Sequence, residues 1–176
     1  VALSSSLWRN VAIAIAAIAL STGLFFALQG RNHQVSLAAV AERAVPLEVA
    51  QTNGKPTLIE FYADWCSSCR AMAPAIASLE EEYDREVNFV LLNVDNTKWL
   101  PELTQYRVNG IPHFEFLTAD GTSLGRTVGE QPRVVMAANL AALGNGSLSL
   151  ESTSVTGRTS EFTAPAAAQT QPRSHG

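Results

Sequence analysis

Leu58-Ile59-Glu60-Phe61-Tyr62-Ala63-Asp64-Trp65-Cys66-Ser67-Ser68-Cys69 joins a short apolar run directly to two thiols. The run from Thr57 to Ala63 is too short and too rich in β-formers for a helix, so it reads as a buried strand. From Cys66 to about Tyr83, Met72, Ile76 and Leu79 recur at helical spacing. The thiols therefore sit where a strand gives way to a helix. There, backbone N–H groups and the positive end of the helix dipole would face Cys66 and stabilise its thiolate. Cys69 lies one turn further along, within reach of a sulfur bonded to Cys66.

Cys66 and Cys69 are the 2 cysteines of the chain, which leaves no partners for a disulfide framework or for the second half of a zinc site. His33, His113 and His175 are scattered far from the pair, so neither a metal site nor a cofactor is assigned. The spacing reads as a redox pair, with Cys66 the attacking sulfur and Cys69 the resolving one. Two inert cysteines on an amphipathic helix are the plain alternative. The polar Ser67-Ser68 between them and Trp65 just before argue against it.

With 176 residues, 47% hydrophobic and 16% charged, the chain has room for one compact domain with appendages. The net charge of -4, without a Lys/Arg cluster among aromatics, argues against nucleic acid and points to protein partners. Val11 to Leu28 runs for roughly 18 residues without a charge, bounded by Arg9 and Arg31, and reads as a transmembrane anchor. A cleaved secretory leader would carry a small-x-small site close behind a shorter apolar region. The nearest candidate, Ala39-Val40-Ala41, lies too far downstream. Positive charges on both sides of the run leave its orientation open.

The domain reading is an N-terminal segment with the anchor (1–31), a linker (32–45), a compact domain (46–143) and a disordered tail (144–176), the last dominated by Ser, Thr, Ala, Pro, Gln and Gly. A short helix is expected within 32–44 and another from Pro46 to Asn53. Inside the domain, Val87 to Val94 reads as a second strand and Trp99 to Arg107 as a short helix. His113 to Leu117 and Ser123 to Val128 form a hairpin around Asp120-Gly121, and Pro132 to Leu143 a closing helix. Pro74 predicts a kink in the redox helix, and Glu80-Glu81-Glu82 reads as a solvated face. Strand, helix, strand, helix, hairpin, helix implies an α/β domain with a mixed sheet covered by helices.

FYADWCSSCRAMAP (61–74), NVD (93–95), GIPHFEFL (110–117), DG (120–121) and VGE (128–130) together resemble the thioredoxin superfamily over roughly Pro46 to Leu143. With the N-terminal anchor, NGKPTLIEFYADWC (53–66) is similar to the membrane-anchored thylakoid thioredoxin-like proteins of cyanobacteria and chloroplasts, the TxlA type. The terminal soluble domain of DsbD-type transmembrane interchange proteins carries a similar FYADWC run. The resemblance implies a thioredoxin-like fold, Cys66 as nucleophile, Cys69 as resolving thiol and Pro112 as a cis-proline opposite them. Ile111 would offer backbone groups to a substrate strand, Trp65 would pack beside the disulfide, and Gly129 would admit a substrate. Pro112 as an ordinary strand-edge proline is the alternative.

Glu60 matches the buried carboxylate of thioredoxins, where Asp is common. A lone acid among Leu58, Ile59, Phe61 and Tyr62 is costly to bury. Desolvation should raise its pKa and let it take the Cys69 proton. Glu60 on an exposed strand face is the alternative. His113 reads as a strand histidine with a satisfied hydrogen bond, or as a group tuning the thiols. Two departures bear on redox tuning: Ser67-Ser68 replaces the Gly-Pro of ordinary thioredoxins, and Leu91 stands where those proteins often carry a lysine beside the acid.

The expectation is a membrane-anchored protein-disulfide reductase facing the thylakoid lumen or periplasm, acting on disulfide-containing clients. The resemblance implies apocytochrome c among the clients, support of cytochrome maturation or assembly, and recharging by a multi-spanning CcdA-type thiol carrier. A disulfide-forming oxidant, a tethered peptide-binding module with little turnover, and a cytoplasm-facing domain are the alternatives.

Overall fold

The computed structural model describes residues 2–30, 35–146 and 157–162, with side chains of the first helix described at 7–23. The chain divides into two units, Val1–Gln34 and Val35–Gly176. The first is a single helix, α1 (Ala2–Gly30), whose described side chains are exposed, among them Trp8, Ile13, Ile18 and Leu20. Among the described residues no helix is long and apolar enough to cross a membrane. The side chains at 24–28, which complete the run read as an anchor, lie outside those described.

The second unit opens with α2 (Leu37–Arg43), capped by Ser36, whose hydroxyl accepts the Ala39 N–H at 3.1 Å. Leu37 and Val40, three apart on one helix face, are buried. The stretch 32–45, read as a linker, is thus in part a packed element, and the compact unit begins at Val35. α3 (Leu47–Ala50) leads into β1 (Thr57–Tyr62), followed by α4 (Ser67–Tyr83) and β2 (Asn88–Asn93). A 3-10 turn, Thr97–Trp99, opens α5 (Leu100–Gln105); β3 (Gly110–Ile111), β4 (His113–Leu117), β5 (Ser123–Val128), α6 (Arg133–Gly144) and β6 (Ser160–Glu161) complete the order.

The main sheet runs β2-β1-β4-β5, with β1 parallel to β2 and antiparallel to β4, and β4 antiparallel to β5. This is the mixed sheet expected from early crossovers and a late hairpin. All six residues of β1 are buried because β1 is central and covered on both faces, which explains its near-continuous apolar run. Edge strand β5 is only partly buried, with polar Ser123 and Arg126 exposed. Gly121 makes the β4–β5 turn at φ +82, a left-handed conformation that side-chained residues rarely adopt.

α4 packs against both α2 and α6. It buries Met72, Ile76 and Leu79, the helical stripe read from the sequence, together with Cys69 and Ala73, while Pro74 lies inside it. Its acidic end is more than a solvated face: Glu80 pairs with Arg43 of α2 at 3.2 Å and Glu82 with Arg133 of α6 at 2.6 Å. These partly exposed pairs contribute about 1 kcal/mol or less each.

β3 and β6 form a second, two-stranded antiparallel sheet. The tail read as disordered from 144 onward therefore contains an ordered element. Its composition offers no apolar pattern, but a strand held by main-chain hydrogen bonds needs none. The rest of that tail, 147–156 and 163–176, lies outside the described residues.

Candidate active site

β1 ends at Tyr62, and Ala63-Asp64-Trp65 carries the chain into α4. The Cys66 N–H donates to the Ala63 carbonyl and the Arg70 N–H to the Cys66 carbonyl, each at 3.1 Å. Cys66 is the N-cap of α4, with extended φ and ψ of -72 and 110. Its sulfur accepts the Cys69 N–H at 3.1 Å, so a helix N-terminal donor is aimed at the sulfur expected to carry negative charge. Cys66 and Cys69 are joined as a disulfide, Cα to Cα 5.3 Å, closed across the first turn of the helix. Both are fully buried.

Trp65 remains half-exposed, and its indole donates to Asp95 Oδ2 at 3.0 Å. The Arg70 guanidinium donates to the Asp64 carbonyl and Asn93 to the Asp64 carboxylate, at 3.4 Å for the latter. The loop before the disulfide is thus tied to the end of β2. Within the NVD motif nothing in the sequence alone gives Asp95 a task; its position just past β2 is the signal that it meets the turn after β1.

Glu60 is only 1% exposed, and neither carboxylate oxygen has a hydrogen-bond partner among the described residues. In register it lies between Leu91 of β2 and Phe114 of β4. Leu91 is thus beside the acid in the sheet, and among the described residues no cation offsets the loss of water. Desolvation raises the Glu60 pKa from 4.5 to about 8.

His113 is fully buried, with Nε2 3.1 Å from Glu115 Oε2; Glu115 also accepts from the Ser123 hydroxyl. Its ring meets Phe61 edge-on at 5.5 Å. Strand alternation puts Phe61 and Glu60 on opposite faces, so the sheet separates His113 from the buried acid. The arrangement matches the reading of a strand histidine held by a hydrogen bond, although Nδ1 has no partner among the described residues. His33 and His175 lie outside the described residues, among which no group of three or more His, Cys, Asp or Glu is placed to hold a metal.

The Ile111–Pro112 peptide is cis. The Pro112 carbonyl accepts the Gly129 N–H at 2.8 Å, which fastens the segment before β4 to the residue after β5. Ile111 is buried, and its backbone is paired with Ser160 of β6. Gly129 has φ +88, and a Cβ there would stand 2.7 Å from the Gly157 carbonyl oxygen. Both residues expected at the substrate edge thus meet the segment 157–162, a neighbour that sequence reasoning missed.

A thioredoxin family model matches residues 37–142. The chain is 49% identical over 170 residues to a thiol:disulfide interchange protein TxlA homolog of Synechocystis sp., covering 96% of this chain and 94% of the relative. It is 46% identical over 171 residues to the thiol:disulfide interchange protein TxlA of Synechococcus elongatus, covering 95% and 89%. Against the chloroplastic thioredoxin-like protein HCF164 of rice it is 44% identical over 165 residues, covering 93% of this chain and 63% of the relative.

Proposed function

The chain belongs to the thioredoxin family and is a thiol-disulfide oxidoreductase, and from that premise we propose that it is a membrane-anchored reductase of disulfides in lumenal or periplasmic client proteins. The observation that carries the reading is the Cys66–Cys69 disulfide closed over the first turn of α4, with a backbone N–H on the Cys66 sulfur. In the reduced chain the Cys66 thiolate attacks one sulfur of a client disulfide. The client S–S bond breaks, a mixed disulfide forms, and the departing client thiolate takes a proton from water. Cys69 then gives its proton to ionised Glu60, directly or through water, and attacks the Cys66 sulfur. The Cys66–Cys69 bond forms, the mixed disulfide breaks, and the second client sulfur leaves as a thiolate that takes its proton from water. Two electrons have passed to the client and the chain is left oxidised. With a pKa of about 8, Glu60 lies near the ordinary thiol value of about 8.5, so the proton passes either way at little cost.

The backbone at Ile111 is the proposed edge for the client chain, with Trp65 and Gly129 flanking it. Anchoring by α1 is supported by its exposed Trp8, Val11, Ile13, Ile15, Ile18 and Leu20, apolar surface that a helix in water would hold at a cost. Arg9 is the single charge of α1. The sequence carries no dinucleotide fingerprint, so the electrons are proposed to come from a dithiol carrier of the CcdA type, and the clients to include proteins of cytochrome maturation or assembly.

Measuring the reduction potential of the chain against dithiol buffers tests the direction. A value near about -270 mV supports a reductant, and one near about -120 mV would replace it with an oxidant. Absence of a reversible two-electron transition would leave only peptide binding. Protease access to residues beyond 144 in sealed membranes tests the side.

A further inference from the structure

We propose that the segment Gly157–Phe162 is a built-in competitor for the client strand, occupying the Ile111 edge until a client displaces it. The proposal rests on the reading of that edge given above. β6 pairs antiparallel with β3, Ile111 opposite Ser160 and Gly110 opposite Glu161. The Phe162 N–H extends the pairing to the Asn109 carbonyl at 3.3 Å. On the other side of the edge, the Glu130 N–H donates to the Arg158 carbonyl at 3.1 Å, and the Arg158 guanidinium meets the Glu130 carboxylate at 3.2 Å. Six residues therefore lie along the backbone groups of 109–111 and 130 as an extended peptide would.

Two glycines make the approach possible. A Cβ at Gly129 would press on the Gly157 carbonyl and, at 2.8 Å, on the Thr159 methyl; a Cβ at Gly157 would collide with the Glu130 carbonyl oxygen. Backbone lies on backbone there, as in strand addition to a sheet edge. Arg158 and Thr159 also line a hollow with Ser67, Ser68 and Ala71 at the start of α4, so the segment reaches the redox helix. Cys66, the residue just before Ser67, has no exposure. A thiolate that attacks a protein disulfide needs access, and departure of this segment would uncover the edge a client needs. Among the described residues its attachments include Phe162, partly buried against the core, main-chain pairs and an ion pair whose Arg158 is exposed, attachments that a client strand can exchange for its own.

The test compares the full chain with its Gly157→Ala, Arg158→Glu double variant, which drives the strand off by a backbone collision and by repulsion from Glu130. Insulin serves as the protein disulfide, 5,5'-dithiobis(2-nitrobenzoic acid) as a small disulfide that needs no strand pairing, and amide exchange at Ser160 and Phe162 reports release. If the strand covers the edge in about nine molecules of ten, its loss lowers the KM for insulin about tenfold, with a smaller change for the small disulfide. A synthetic peptide of residues 157–162 should raise that KM again in the variant. Equal KM values with exchange showing a freed strand would overturn the proposal. Unchanged exchange would overturn it too, since a strand that survives both changes is a fixed part of the sheet. Failure of both proteins to reduce either disulfide would bring down the underlying reading along with it.

Discussion

Replacing Glu60 by glutamine keeps the shape of the side chain and removes its ability to ionise. In the folded protein the carboxyl is 1% exposed and without a hydrogen-bond partner among the described residues, between Leu91 and Phe114 in register. Its pKa is raised from 4.5 to about 8 by desolvation. Between those values the folded state holds a proton that the unfolded state has lost, so stability falls as pH rises. The contribution is fully present below 4.5 and fully lost above about 8. At about 1.4 kcal/mol per pH unit, the loss is about 3 kcal/mol at pH 7 and about 5 kcal/mol above pH 8, upper values because water entering the site would soften them. Protonated Glu and Gln are both neutral and polar, so wild type and Glu60→Gln should unfold alike near pH 4. The variant should become increasingly more stable as pH climbs to 9. Urea denaturation of the two oxidised chains at a series of pH values measures the gap. Two parallel stability curves would refute the reasoning, since a carboxyl that titrates normally in the fold gives no divergence.

Further outcomes follow from the same geometry. Cys69→Ser should stop the cycle at the mixed disulfide, so that client protein runs covalently attached to the chain on non-reducing gels, whereas Cys66→Ser should trap none; equal trapping by both would reverse the assigned roles. Leu91→Lys would set an ammonium beside Glu60 in the sheet, where Leu91 itself is only partly buried. The Glu60 pKa should then fall, moving the pH midpoint of the stability loss below that of wild type and flattening the divergence from Glu60→Gln by roughly 1 kcal/mol or more. An unmoved midpoint would mean that the ammonium turns out to solvent.

The main sheet was legible because its strands are buried where the sequence is apolar and end where it is not. Thr57–Tyr62 and Asn88–Asn93 lie within the two apolar runs, and the Asp120-Gly121 turn marks the hairpin of His113–Leu117 with Ser123–Val128. The thiols were legible for a second reason, their position at a strand-to-helix junction, which the N-cap geometry of Cys66 bears out. Less visible was whatever depends on partners distant in the chain. Leu37 and Val40 are too few to announce a core-packed helix, because the stripe has meaning only against α4. Asp95 is an ordinary loop acid until Trp65 is brought to it across the sheet. Ser160-Glu161 has no period at all, since its pairing uses main-chain groups common to every sequence.

An unpaired sheet edge is a hazard because any extended chain can pair with it, and proteins shorten, charge or cover such edges. A protein that handles many clients through one edge cannot remove it. β3 shows how the two demands meet. It is only two residues long and stops at Pro112, which has no N–H to offer, so the stretch open to a foreign strand is kept small. What remains is met by β6, carried on the same chain and paired through main-chain groups. A tethered strand sits at high effective concentration, so it fills the edge between clients, yet its weak contacts let a client with a better match replace it. The pairing that would otherwise promote association between chains then sets how strongly a client must bind before its disulfide reaches Cys66.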